Sequence, residues 1–332
     1  DPALRPRLAL RDLFEYSPVV LHTWHPMGLT LFTHPSYDQH KMHEGHPERP
    51  ERTQAILAHL KETGLLKDFK QRKPNGVTET ALKRIHEPAY LERLVESAPE
   101  SGLAFVDPDT HLAPGSLQAA RLAAGALEEA VSLVLDGDVK RVFACGRPPG
   151  HHAEHDAGMG FCFYNNVALG ASAALAHKDV ERVAILDFDV HHGNGTVDIF
   201  KDTPGVLVAS SFQHPHYPHR YFDLVRDHIV NTPLPTGTDG PAFRKAIERD
   251  WIPALEKFKP QLIFISAGFD AHTDDPLGDL HLDADDFAWI TRLIVAMAED
   301  HCSGRIISTL EGGYNLEALA TSTAAHLKAL TS

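Results

Sequence analysis

The sequence predicts an α/β fold: an open, mostly parallel sheet with helices on both faces. Two observations carry this expectation. From Leu29 onward, short apolar runs alternate with longer helical patterns, as in strand–helix–strand units. Four of those runs lead directly into unusual polar clusters, and α/β proteins gather their ligands beyond the carboxyl ends of their strands.

The elements follow in chain order. Residues 1–28 show no clear periodicity and are expected to form an N-terminal arm, leaving 29–332 as a single domain. The strand-like runs are Leu29–Thr33, Arg141–Cys145, Arg182–Phe188, Gly205–Ser210, Leu262–Ser266 and Arg305–Leu310. Among the helical patterns, Pro50–Thr63 stops at Gly64, where a glycine suits the left-handed conformation past a helix end. Leu117–Leu135 ends before Asp136-Gly137, and the alanine-rich Asn166–His177 should pack closely on a sheet. Phe287–Glu299 follows Asp283, Asp285 and Asp286, residues that favour a helix N-terminus. There is no internal repeat and no low-complexity linker.

Composition narrows the function. Of 332 residues 43% are hydrophobic, enough for a sizeable core. No apolar run approaches the ~20 residues of a membrane span, so no membrane partner is expected. Lys and Arg total 31 against 45 Asp and Glu, a formal charge of −14. This disfavours direct nucleic-acid binding and tolerates a basic partner. Cys145, Cys162 and Cys302 form neither a metal-type spacing nor a disulfide framework, so a reducing compartment is expected. The chain starts at Asp1 rather than Met; cytoplasmic placement is the expectation, with an upstream targeting segment and homo-oligomerisation left open.

The chemistry lies in the clusters. Arg141–Cys145 leads into GRPPGHHAEHDAGMGF, Arg182–Phe188 into DVHHGNG, Leu262–Ser266 into AGFDAH, and Arg305–Leu310 into EGGYN. In one parallel sheet all four converge on one crevice. Strand alternation would set Asp187, Asp189 and His191 on one face, ~7 Å between successive residues. Two carboxylates and an imidazole so placed repel and desolvate each other without a cation. Asp-x-His offers oxygen and nitrogen donors that Zn²⁺ accepts while keeping positions open. Asp270, just past an apolar strand, is the best third donor. A salt-bridge network is the alternative for an isolated Asp-x-His.

The strings RPPGHHA, DFDVHHGNGT, SAGFDAH and EGGYN resemble, in this order, the active-site blocks of the histone deacetylase superfamily. That group includes acetylpolyamine amidohydrolases and bacterial deacetylase-like amidohydrolases. The resemblance covers nearly the whole chain, and Asn194 in HHGNG is similar to the class II and bacterial branch. It implies an arginase-related α/β fold and one catalytic Zn²⁺ held by Asp189, His191 and Asp270. It further implies that Asp187 holds His151 and that Asn194 orients His152. A monovalent cation, K⁺ or Na⁺, is implied at Asp187 with the carbonyls of Asp189 and His191 and the Ser210–Ser211 region. A second is implied at carbonyls near Phe200, Thr203, Val206 and His228.

On that resemblance the substrate is an acetylated or short-acylated amine. Deacetylation needs a base for water and an acid for the leaving amine, and one histidine can serve as both. His152 takes that role and His151 gives electrostatic support. Gly312-Gly313 lets Tyr314 reach inward and donate to the substrate carbonyl. Gly160, Phe161 and Tyr217 resemble a channel for the acyl-lysine stem, Asp109 a rim acid that grips the substrate backbone, and Arg52 the arginine below the metal. Polyamine-selective relatives can carry an acid at the gate; here Leu277 is apolar, which favours acetyl-lysine over acetylpolyamine. A dinuclear manganese hydrolase and an inactive acyl-lysine binding module are the rivals. Two departures stand out: HRYFDLVRD after Tyr217-Pro218 where many relatives have GTG, and Phe212 where many have histidine.

Overall fold

The computed structural model describes residues 28–332, so the expected N-terminal arm lies outside the described residues except for Gly28. In chain order the strands are β1 (Leu29–Phe32), β2 (Lys70–Arg72), β3 (Ala104–Phe105), β4 (His111–Leu112), β5 (Arg141–Ala144), β6 (Val183–Asp187), β7 (Val206–Gln213), β8 (Ile229–Leu234), β9 (Leu262–Ala267) and β10 (Ile306–Leu310). The helices are α1 (Glu51–Glu62), α2 (Glu79–Leu82), α3 (Pro88–Glu96), α4 (Ser116–Leu135), α5 (Asn166–Leu175), α6 (Asn194–Phe200), α7 (Gly240–Phe258), α8 (Ala284–Cys302) and α9 (Leu316–Leu330). The main sheet has eight strands in the order β2-β1-β5-β10-β9-β6-β7-β8. Every pairing in it is parallel.

Strand alternation divides the core. Leu31, Phe143, Ala184, Leu186, Ile263, Ile265 and Ile306 pack with Ile56 and Leu60 of α1, Trp251 of α7, Ile290 of α8 and Leu327 of α9. Val142, Ala144, Val183, Ile185, Phe264 and Ile307 pack with Leu127 of α4, Val167 of α5 and Val197 of α6. Successive side chains of one strand therefore serve opposite layers, and each buried aliphatic contributes roughly 1.5–3 kcal/mol. The alanine-rich α5 packs as closely as expected: a Cβ on Gly170 would lie 2.8 Å from Phe264 Cε1.

Capping follows the sequence too. Gly64 takes φ 75° just past α1. Asp283 caps α8, with Asp286 completing a reciprocal capping box. The short polar edge strand β2, the proline-bearing β8 and the two-residue β3 and β4 were not among the expected strands. Expected bounds shift by a residue or a few elsewhere, and one shift matters: β6 ends at Asp187, before Phe188.

β5, β10, β9 and β6 are neighbours at the centre of the sheet. The four polar clusters therefore leave adjacent strand ends, where an α/β sheet binds its ligands.

Candidate active site

Past β6 the chain is no longer a strand, which corrects the expectation that Asp187, Asp189 and His191 share a strand face. The Asp189 N–H donates to Asp187 Oδ1 at 3.1 Å, and the His191 N–H to Asp189 Oδ1 at 2.9 Å. These aspartate turns coil the loop, because a short carboxylate can capture a backbone N–H two residues on. The result sends Asp187 one way and Asp189 with His191 another. His191 Nδ1 lies 3.0 Å from Asp189 Oδ1 and 3.2 Å from Asp270 Oδ2. One donor atom from each of the three lies within 4.8 Å of the others, and all three side chains are buried.

This trio fits a divalent cation. Asp270 Oδ2 is buried, and its one polar neighbour is the poorly aligned His191 Nδ1 at 3.2 Å, a costly condition for a carboxylate with no cation. Asp270 Oδ1 accepts the Val190 N–H and Asp189 Oδ2 the Gly312 N–H, both near 2.9 Å (2.9 and 2.8 Å). Burial and the neighbouring Asp189 charge raise the Asp270 carboxyl above its ordinary range. A Cβ at Gly312 would lie 2.5 Å from Asp189 Oδ2 and 2.6 Å from Asp270 Cγ, so glycine keeps the carboxylates together.

The tandem histidines have unlike partners. His151 Nδ1 is 2.9 Å from Asp187 Oδ2. Burial opposes its charge, but Asp187 and Asp189 overcome that and raise His151 well above an ordinary imidazole. His152 Nδ1 faces the Asn194 amide oxygen at 2.7 Å. The Asn194 Nδ2 donates to Glu154 Oε1 at 2.7 Å, so its oxygen is the atom left for His152. The His152 proton therefore sits on Nδ1, with the Nε2 lone pair free. Burial, then the charges of His151 and His191, push His152 well below its ordinary range.

A cavity of about 240 Å³ is lined by Asp109, His152, Gly160, Phe161, His191, His216, Tyr217, Leu277 and Tyr314. Thus the expected channel residues Gly160, Phe161, Tyr217 and Leu277 line one cavity with His152, His191 and Tyr314. Phe161 and Tyr314 pack edge to face at 5.8 Å. Tyr217 lies edge-on to His152 at 5.2 Å. Asp109 is half-buried, and burial with the Asp107 charge raises it to about 6. Arg52 does not line the cavity. It is fully buried, donates from Nε to the Gly313 carbonyl at 2.6 Å and holds the Glu311 carbonyl. Its guanidinium lies 4.9 Å from the Tyr314 ring centroid, so it braces the tyrosine loop from behind.

The residues named for monovalent cations fall in two places. Ser210 pairs in register with Asp187 on β7, and its hydroxyl accepts the Gly193 N–H at 3.4 Å; Ser211 follows it, buried. The Phe200 carbonyl accepts from Thr203 N–H at 2.9 Å and faces His228 Nε2 at 3.1 Å, while Thr203 accepts from Val206 at 3.0 Å. Of the departures, Phe212 is buried edge-on to His192 at 4.6 Å. In HRYFDLVRD, Arg220 reaches Glu154 Oε2 at 3.0 Å and Tyr221 donates to Asp198 at 2.8 Å.

Sequence reasoning missed the groups that hold these residues. Glu311, in the quoted EGGYN, accepts the Gly150 and His151 N–H groups at 2.7 and 3.1 Å and the Ser266 hydroxyl at 3.1 Å. Asp275 accepts the Tyr314 N–H at 2.7 Å and the Leu277 N–H at 3.0 Å. Glu48 pairs with Arg147 at 2.6 Å and Arg52 at 3.3 Å, all fully buried. His216 stacks on His191 at 5.1 Å. Glu311 lay inside the quoted EGGYN, where an acid beside two glycines was the available signal; Glu48, between Pro47 and Arg49 in the chain, carried only its nearness to Arg52.

Comparison with known proteins agrees with this geometry. A family model described as the histone deacetylase domain matches residues 46–330. A histone deacetylase-like amidohydrolase of Pseudomonas aeruginosa is 38% identical over 314 residues, covering 92% of this chain and 82% of that protein. A probable deacetylase of Archaeoglobus fulgidus is 37% identical over 292 residues, covering 86% and 80%. The crystal structure of the HDA15 HD domain superimposes with a TM-score of 0.86 at 32% identity, covering 92% of this chain and 88% of that one. The parallel sheet with its convergent strand-end site is that of the deacetylase and amidohydrolase class. The chain belongs to the histone deacetylase family. No helix among the described residues is long and apolar enough to cross a membrane.

Proposed function

We propose that this protein is a zinc-dependent deacetylase that hydrolyses the N-acetyl or short acyl amide of an acetyl-lysine-type side chain to acetate and a free amine. The observation that carries this is the convergence of His152, His191 and Tyr314 on one narrow cavity, with Asp189 and Asp270 buried beside His191. Asp189, His191 and Asp270 would hold Zn²⁺, which supplies Lewis acidity toward water and the amide carbonyl when bound. His152, with its Nε2 lone pair free, takes the proton of the attacking water and returns it to the departing amine. His151, charged against Asp187, stabilises the negative charge that develops nearby. The Tyr314 hydroxyl donates to the carbonyl oxygen as that oxygen gains charge.

Phe161 and Tyr217 enclose a linear methylene stem, and Asp109 at the rim accepts from the substrate backbone. Asp275 and Arg52 position Tyr314; Glu311 positions the histidine turn. K⁺ or Na⁺ would be held by Asp187 with the carbonyls of Asp189 and His191 and by Ser210 and Ser211. The Phe200, Thr203, Val206 and His228 carbonyls would hold a second. The apolar Leu277 at the cavity favours a peptide substrate over a polyamine with a distal cation. The test is kcat/KM on an acetyl-lysine peptide, N-acetylputrescine and N-acetylspermidine with zinc-loaded protein. The peptide should be turned over best. A polyamine ranked first would move the substrate class, and no turnover of any acetyl amide would refute the proposal.

A further inference from the structure

A second histidine cluster lies outside the active site. His43 and His46 sit in the segment before α1, and His111 is in β4. Their ring centroids are 5.0, 5.6 and 5.8 Å apart. One nitrogen from each lies within 4.8 Å of the others. We propose that His43, His46 and His111 form a second divalent transition-metal site, distinct from the active site, that ties the segment before α1 to β4 at the channel wall.

Four observations support it. His111 is 4% exposed, and its Nδ1 is buried with no hydrogen-bond partner. A buried, unpaired ring nitrogen is costly unless a proton, water or metal meets it. His43 Nδ1 lies 3.0 Å from the Glu44 carbonyl, an outer contact that fixes the ring tautomer and leaves Nε2 as a ligand. The Glu48 backbone flanks His46 Nδ1, its carbonyl at 3.0 Å and its N–H at 3.1 Å; with the proton on Nδ1 donated to the carbonyl, Nε2 is left as a ligand. Finally, burial lowers the proton affinity of both His46 and His111, which keeps them neutral as ligands must be. A tetrahedral site with Zn–N near 2.1 Å needs its nitrogens about 3.4 Å apart. From separations of no more than 4.8 Å that is a closure of at most about 1.4 Å, and His43 is the exposed member best able to move.

Three imidazoles with no carboxylate suit Zn²⁺, Co²⁺, Ni²⁺ or Cu²⁺ rather than Mg²⁺ or Ca²⁺. Solvent on the His43 side supplies the remaining position. The site would also brace the channel. The His46 ring packs on Phe161 at 4.9 Å, and Thr110, beside His111, accepts the Phe161 N–H at 3.0 Å. The competing arrangement is an aromatic cluster with Phe105, whose ring lies 4.5 Å from His111, and no metal.

The experiment is a Co²⁺ and Zn²⁺ titration of tag-free, metal-stripped protein, read by metal analysis and the Co²⁺ absorption bands. The Asp270→Ala background isolates this site from the proposed catalytic one. Asp270→Ala protein should bind one equivalent. Adding His43→Ala or His111→Ala should weaken that equivalent at least about 100-fold, beyond the ~10–100-fold cost of losing an outer contact. His43 is exposed, so its variant keeps the native melting transition and serves if His111→Ala fails to fold. Asp270→Ala protein that binds no metal, or an equivalent whose affinity His43→Ala leaves unchanged, overturns the proposal. Wild-type protein binding one equivalent that His43→Ala removes and Asp270→Ala does not would uphold this site while refuting the catalytic one.

Discussion

Gly312→Ala should disable the proposed zinc site without removing any of its three proposed ligands. A Cβ at Gly312 would stand 2.5 Å from Asp189 Oδ2 and 2.6 Å from Asp270 Cγ. Asp270 Oδ2 would lie closer still, and ordinary contacts of such atoms begin at about 3.4–3.5 Å, so the carboxylates must retreat by more than roughly 1 Å. Metal–ligand distances tolerate only about ±0.2 Å. The Gly312 N–H also donates to Asp189 Oδ2 at 2.8 Å, so the backbone cannot withdraw without leaving that oxygen unpaired. Strain of this kind typically costs about 1–3 kcal/mol where a core site is overpacked. The loss of metal affinity should therefore be at least about 10-fold and reach 100-fold, the range for disturbing groups that orient ligands. Zinc content after dialysis against a graded chelator, measured beside kcat on acetyl-lysine peptide, is the assay. Gly312→Ala protein that keeps wild-type zinc affinity and kcat would show that the glycine does not set the carboxylate spacing.

The other predictions test separate parts of the site and fold. Tyr314→Phe should lower kcat by about 10²–10³ with zinc content unchanged; near-native kcat would remove the tyrosine from the mechanism. His152→Ala should abolish turnover with zinc retained and His151→Ala should be milder, whereas Asp189→Ala should lose zinc and activity together. Leu277→Glu should shift kcat/KM toward acetylpolyamines by placing a carboxylate near their distal amines; an unmoved ratio would mean that Leu277 is not the gate. His326 is fully buried between the Thr291 and Ser308 hydroxyls at 2.6 and 2.9 Å, and burial depresses it to about 3. Its folded value lies below its unfolded one, so stability is complete above pH ~6.5 and falls as the unfolded chain takes up the proton. His326→Gln should flatten the stability slope between pH 6 and pH 4 by up to ~1.4 kcal/mol per pH unit in urea unfolding; identical slopes would place His326 in a charged state.

The sequence by itself determined the layered α/β class and the strands that bear the candidate site, and it named most of the side chains that meet there. These are local signals. An apolar run flanked by glycines and polar clusters, or a capping aspartate before a helix, is written in consecutive residues, and the Asp283 cap and Gly64 turn formed where expected. Asp189 and His191 were legible for the same reason, as neighbours in one string. Only the tertiary structure decided what supports them. Glu311 meets Gly150 from a distant strand end. Asp275 meets Tyr314 across 39 residues of chain, and Glu48 meets Arg147 across 99. Such pairs are set by which strands the sheet makes adjacent, and no period or spacing encodes that. The strand-face placement of Asp187, Asp189 and His191 failed for a related reason: the aspartates bind backbone N–H groups and coil the loop, a competition with strand geometry that alternation alone does not reveal. The gathering of His43, His46 and His111 is likewise a property of the fold, because a loop and a strand far apart in sequence meet only when the sheet has assembled.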